Sequence, residues 1–223
     1  MNNLLDDFFN KTTESEFNQN LQELSYNLPK SNVLDYIRAI INIPIIDFLD
    51  WIDCHTFVTI DSSDVPQLSN YEDAFYNIVN ILIENGDTGY RYIEMGKMLQ
   101  NDGVVRNEIA DRKYGENHAK AAEYLGYLYS LKFYYYVSCL GYCVNDLDDS
   151  EKKRFFVRLL LRTNLFKFVY LCTKNGPMEM SRALDILSPS TYRRRLSSLK
   201  LVLNSLKESN EYNFNTILKN IIY

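Results

Sequence analysis

The chain has 223 residues, 46% hydrophobic and 24% charged, which suits one or two compact cores and excludes a disordered tail. The formal net charge is −5, no window approaches 18 uninterrupted apolar residues, and the start, MNNLLDDFFNK, is acidic, so we expect no membrane segment and a soluble, unprocessed, cytoplasmic protein. Four cysteines, Cys54, Cys139, Cys143 and Cys172, include one C-x3-C pair with no second pair or histidine cluster near it; they read as buried reduced thiols, with no metal or cofactor.

Residues 1–86 hold 3 Lys/Arg against 14 Asp/Glu. Within them, LDYIRAIINIPIIDFLDWID has helical spacing on both sides of Pro44, which should end or kink a helix there. HTFVTI, residues 55–60, predicts a strand and SSDVPQLSN a loop, so the main boundary is expected near Pro66. Residues 1–66 then form a mostly helical acidic region, serving self-association or a nuclease partner.

From Tyr71 the pattern changes. EDAFYNIVNILIENG puts Phe75, Ile78, Ile81 and Leu82 on one helical face and stops at Asn85-Gly86. TGYRYIEMGKMLQ predicts a second short helix, broken by NDG at 101–103. A third is expected from about Glu116 to Leu131, with Ala121, Leu125 and Leu128 on one face. KFYYYVSCLGYCV, aromatic and β-branched with Gly141 near its middle, reads as a strand or hairpin. Helix, helix, turn, helix, hairpin is the order of a winged helix, expected here over 67–147.

The order repeats over 148–223 without sequence identity. SEKKRFFVRLLLRTNLFKFVYLCTKNG predicts a long helix or helix pair ending at Asn175-Gly176, PMEMSRALDIL a short helix opening with a proline, and LSPS a turn. STYRRRLSSLKLVLNSLKE is the third helix, and ESNEYNFNTILKNIIY has room for a short wing and a last helix. Residues 151–208 carry 13 Lys/Arg against 4 Asp/Glu, a basic block inside an acidic chain. Local charge sets the field that a phosphate meets, so this block suggests a polyanion-binding face.

In a helix-turn-helix the second helix of the pair presents its N-terminal residues to base edges. Ser188 is a plausible N-cap with Pro189 at the first helical position. Tyr192, Leu196, Leu199, Leu203 and Leu206 form an apolar stripe, with Arg193, Ser197, Lys200 and Asn204 on an adjacent polar face. Arg193 and Arg194 are the candidates for two-pronged contact with a guanine edge or phosphate. Thr191 and Ser197 can hydrogen-bond phosphates, Lys200 adds a point charge, and Arg195, at the stripe's other edge, belongs to the fold. Three arginines near a helix start oppose the helix dipole, which an anion would justify. In the first module Arg112 and Lys113 are the phosphate candidates, while His118 falls near Leu125 on the wheel and reads as a core-edge histidine.

The run DGVVRNEIADRKYGENHAKAAEYLGYL, then YYYVSCLGY, then STYRRRLSSLKLVLNSL, resembles the paired winged-helix specificity modules of some type II restriction endonucleases and related DNA-binding proteins. The resemblance covers roughly residues 71–208, is most specific at Thr191-x-Arg193-Arg194, and implies sequence-specific recognition of double-stranded DNA in a restriction-modification or phage-defence system. A nuclease core is not recognisable. Asp61 and Asp64 lie in a loop, and Glu94-Met95-Gly96-Lys97 has a helical offset, not the strand alternation of a Glu-x-Lys pair. The expected class is therefore mainly α, with tandem winged-helix modules, no catalytic residues and duplex DNA as partner. The alternatives are a scaffold assembled through acidic N-terminal and basic C-terminal regions, and a small metal-dependent nuclease with a divergent site.

Overall fold

The computed structural model describes residues 2–10, 30–55, 58–100, 103–104 and 106–223. In chain order the elements are α1 (Asn2–Asn10), α2 (Lys30–Ile41), α3 (Ile45–His55), α4 (Ile78–Glu84), α5 (Tyr92–Leu99), α6 (Glu108–Tyr124), β1 (Leu128–Leu131), β2 (Tyr134–Val137), α7 (Cys139–Asn145), α8 (Asp149–Arg162), α9 (Asn164–Lys174), β3 (Met178–Glu179), α10 (Met180–Ala183), α11 (Pro189–Glu208), α12 (Asn215–Leu218) and β4 (Ile221–Ile222). The described chain is mainly helical, as expected, with two two-stranded sheets. No helix among the described residues is long and apolar enough to cross a membrane.

Two compact units divide it. Unit 1 gathers 2–10, Arg38–Gln67 and Asp149–Tyr223; unit 2 gathers 30–37 and Leu68–Asp148, so the dividing line falls inside α2. The partition expected from composition set 1–66 apart, whereas 38–67 shares a unit with 149–223.

In unit 2 a π-helical turn, Asp73–Asn77, leads directly into α4. Its wider turn carries Asp73 inward, where Tyr114 donates its hydroxyl to Oδ2 at 2.5 Å and Asn77 its amide to Oδ1 at 2.7 Å. Burial and this carboxylate push the Tyr114 phenol up to about 12. α5 and α6 meet backbone to backbone: a Cβ on Gly96 would lie 1.8 Å from the Asp111 carbonyl oxygen, and one on Gly115 1.9 Å from that of Tyr92. Only glycine permits that approach.

The third helix of this unit begins at Glu108 and ends at Tyr124, eight and seven residues earlier than its expected limits, because Asn107 caps it by accepting from the Ala110 N–H at 2.8 Å. The hairpin moves with it. β1 pairs antiparallel with β2, Leu128 opposite Val137 and Leu131 opposite Tyr134, while Cys139–Asn145, expected as strand, forms α7 under a Ser138 cap. Tyr90 adds a single antiparallel bridge to Tyr135. Asp87 ties the end of α4 to this layer, accepting from the Val137 N–H at 3.0 Å and the Tyr142 hydroxyl at 2.9 Å.

Unit 1 is built on the corner between α2 and α3, where Pro44 ends one helix and starts the next, as its fixed φ and missing N–H require. Carbonyls left without helical partners at this corner are taken by α8: Arg154 donates to Ile41 O at 2.9 Å and Arg158 to Ile43 O at 3.1 Å. Arg158 is only 2% exposed and is neutralised by Glu211, which also accepts from Arg154 at 3.2 Å. On the other side of α3, Phe9 stacks on Trp51 at 4.1 Å and Trp51 Nε1 donates to Asp6 at 2.7 Å.

Two further expectations change in the described residues. HTFVTI forms no ladder at 58–60, and residues 56–57 lie outside the described set. The last stretch folds as α12 followed by β4, which pairs in parallel with β3, Met178 opposite Ile221, where a hairpin wing was expected. β3 also occupies the start of the segment expected as a short helix, leaving that helix four residues at Met180–Ala183. Of the cysteines only Cys143 is buried; Cys54 and Cys172 are exposed and Cys139 is half-buried.

Candidate nucleic-acid interface

α11 starts where the sequence says it should. Ser188 accepts from the Thr191 N–H at 3.3 Å, and Pro189 holds the first helical position. Leu199, Leu203 and Leu206 are buried with Ser198 and Val202, and Tyr192 and Leu196 are half-buried, so the inward face is broader than the expected stripe. Arg193, Ser197, Lys200 and Asn204 all lie along one side, with Arg194 exposed beside them.

The three arginines divide by their partners. Arg195 Nη1 donates to the Ser62 carbonyl and, at 2.8 Å, to the Val65 carbonyl, so this guanidinium fastens α11 to the turn at 62–65. Arg194 Nη2 donates to the Thr191 hydroxyl at 3.3 Å, and that hydroxyl also accepts from Ser188 at 2.9 Å; Thr191 is thus engaged locally and helps orient Arg194. Lys200 Nζ sits 4.7 Å above the Tyr223 ring, a cation–π contact that holds its charge over the exposed side of the helix. Tyr223 carries no signal in the helical pattern, because the chain's last strand brings it there.

The arginines occupy the fifth to seventh helical positions, not the first turn. Opposition from the helix dipole fades beyond the first turn, so their placement costs less than the sequence alone suggests. A different regularity is more telling. Counted from the caps Asn107 and Ser188, Arg112 and Arg193 are both fifth, Lys113 and Arg194 both sixth, and this basic pair stands on the outer side of each helix. From the same origin His118 matches Leu199, Ala122 matches Leu203 and Leu125 matches Leu206, all buried. Arg112 and Lys113, expected just before their helix, therefore lie within it, at the register of the arginine pair.

His118 is fully buried on α6, its Nδ1–H donating to the Tyr114 carbonyl at 2.8 Å, and burial lowers its pKa below the ordinary 6.5. It belongs to the core of unit 2.

No family model, curated protein or solved structure matches the chain.

The carboxylates weighed for catalysis have local duties. Asp61 and Asp64 close a capping box, Asp61 Oδ1 accepting from Ser63 N at 2.6 Å and Asp64 Oδ2 from Asp61 N at 2.8 Å; the bonds to Ser63 hold the Asp61 carboxyl below its ordinary value. Glu94 accepts from the Arg91 N–H at 2.7 Å, and Lys97 lies 3.8 Å from Glu108. A cavity of about 420 Å³ in unit 1 is lined by Ile43, Pro44, Ile46, Arg154 and Tyr212 among others. The atoms of the Arg158–Glu211 pair that lack partners, Nε and Oε1, are sealed from solvent, so the cavity does not expose them.

Proposed function

We propose that the chain is a sequence-specific duplex-DNA-binding protein, the recognition part of a restriction-modification or phage-defence system, in which α11 lies in the major groove and α6 plays the corresponding part in unit 2. The observation that carries this reading is the shared register: each unit has a capped helix with an exposed basic pair at its fifth and sixth positions. Side chains near the start of such a helix are the ones that reach base edges and flanking phosphates.

The order of elements supports a winged-helix-like description of both units. In each, a helix ends at Asn-Gly (Asn85-Gly86, Asn175-Gly176), a short extended pairing follows (Tyr90, or β3), then a short helix and the capped helix. The scaffold alternative draws on the same charge asymmetry, part of which is used inside unit 1, where Lys174 of the basic block pairs with Asp53 at 2.7 Å.

The test is a titration of the full chain with labelled 30-bp duplexes drawn from a random pool, followed by recovery and sequencing of the bound fraction. We expect one enriched motif and affinity that falls steeply with salt. Replacing Arg193 and Arg194 by alanine should relax the selected motif by about 1–3 kcal/mol for each base that an arginine reads, and lower the salt slope by about one for each phosphate that an arginine neutralises. An unchanged motif and slope in that double variant would remove α11 from the interface.

A further inference from the structure

The hairpin of unit 2 ends in an anomaly. Leu131 is paired with Tyr134, so the turn consists of Lys132 and Phe133 alone, and both have positive φ, 51° and 71°. Two-residue hairpin turns of this hand normally recruit Asn-Gly, because a bulky side chain in the left-handed region is strained. Phe133 is also 91% exposed and Leu131 55% exposed, while the body of the hairpin is well packed, with Tyr129 stacked on Tyr136 at 5.4 Å. Nothing among the described residues of unit 2 requires a phenylalanine at this apex. The chain accepts backbone strain and keeps an aromatic ring in water, on a two-residue turn.

We propose that Phe133, with Leu131 beneath it, is a wedge that enters a base step of duplex DNA when α6 docks; the inference rests on the DNA-binding reading above. The chemistry around the tip suits that partner. Lys132 is adjacent, and Arg91, which precedes α5, lies over the ring of the hairpin's Tyr134 at 5.0 Å and donates to its hydroxyl at 2.9 Å, so a second cation stands against the hairpin. Positive charge near an exposed apolar side chain suits the phosphate backbone beside a base stack, and inserted Phe or Leu wedges kink duplexes by unstacking a step. An anionic bilayer offers similar chemistry, but one ring and one leucine bury little, and even a whole acyl chain gives only marginal membrane binding. A base step needs a single side chain.

The wedge is tested with the full chain, a 30-bp duplex carrying flexible TA steps and a donor–acceptor dye pair at its ends, and vesicles containing 30% phosphatidylserine. We expect the wild type to bind the duplex and bring its ends closer. Phe133→Trp should keep both effects, and Phe133→Ala should bind about tenfold more weakly with the change in end-to-end distance abolished. Phe133→Gly should do the same while raising the melting temperature, since it relieves the strained φ; a residue serving the fold would lower it. If Phe133→Ala binds and bends like the wild type, the wedge is wrong although the DNA reading stands. Absence of duplex binding by the wild type overturns both. Phe133-dependent sedimentation with vesicles, without a duplex effect, assigns the tip to a lipid surface and ends the proposal.

Discussion

The two units hold their long capped helices, α6 and α11, by opposite means. Unit 2 presses α6 against α5 at two glycines, with no room for a methyl group at either. Unit 1 fixes α11 and the corner before it with arginines: Arg195 on the 62–65 turn, and Arg154 and Arg158 on the carbonyls of Ile41 and Ile43. A glycine contact is short and apolar, and fails when atoms are added. An arginine clamp spans distance and satisfies stranded carbonyls, but where it buries charge, as at Arg158, it draws in a carboxylate, here Glu211. The same display of a basic pair can thus rest on packing or on electrostatics.

That contrast predicts distinct ways of breaking each unit. Gly115→Ala sets a methyl carbon on the Tyr92 carbonyl, so unit 2 should lose its packing altogether, at a cost above the roughly 1–3 kcal/mol of ordinary overpacking. Hydrogen exchange should then show protection gone from α5 and α6 with α8 and α9 still protected. Glu211→Ala should cost unit 1 about 3–5 kcal/mol in urea unfolding, because it leaves Arg158 buried without its counter-charge. Glu211→Gln, which keeps an acceptor but not the charge, should cost less; an equal loss would mean that charge, not hydrogen bonding, is what unit 1 uses. A smaller effect follows from His118, whose folded pKa is depressed by burial. Its contribution to stability is complete above the ordinary pKa of 6.5 and drains away as pH falls toward the depressed folded value, at up to about 1.4 kcal/mol per pH unit. Melting curves at pH 7.5 and 5.5 should show this decline for unit 2, and His118→Gln should flatten it.

Part of this contrast is legible in the sequence, and the rest is hidden for identifiable reasons. Pro44, the Asn-Gly stops, and the Ser188-Pro189 start are local signals, and each marks a boundary in the fold. The assignment of Arg195 to the fold follows from its angular position, and its bonds to Ser62 and Val65 supply the partners that a helical wheel cannot name. The start of α6 is obscured because Glu108 to Lys113 is polar on most sides and leaves the apolar period faint, even though Asn107 is a good cap. A start set too late hides the match between Arg112-Lys113 and Arg193-Arg194. The parallel pairing of β3 with β4 joins residues 43 apart in the chain and leaves no short-range trace. The glycine contact is silent for a simpler reason: Gly96 and Gly115 are 19 residues apart, and a glycine inside a helical pattern reads only as a weak spot.

The interleaving of the units also sets an order of events during synthesis. Every segment of unit 2 precedes residue 149, whereas the α2–α3 corner of unit 1 waits for α8, and Ile43 for Arg158, 115 residues further on. At about 5–20 residues per second, the ribosome needs roughly 4–16 s to make the 81 residues between Gln67 and Asp149. During that interval unit 2 can close around its glycines while Ile40, Ile41, Ile45 and Phe48, all buried in the finished protein, belong to a unit that is still incomplete. The nascent chain is most exposed to aggregation in this window, and a chaperone that protects it should bind residues 38–55 and let go when α8 emerges.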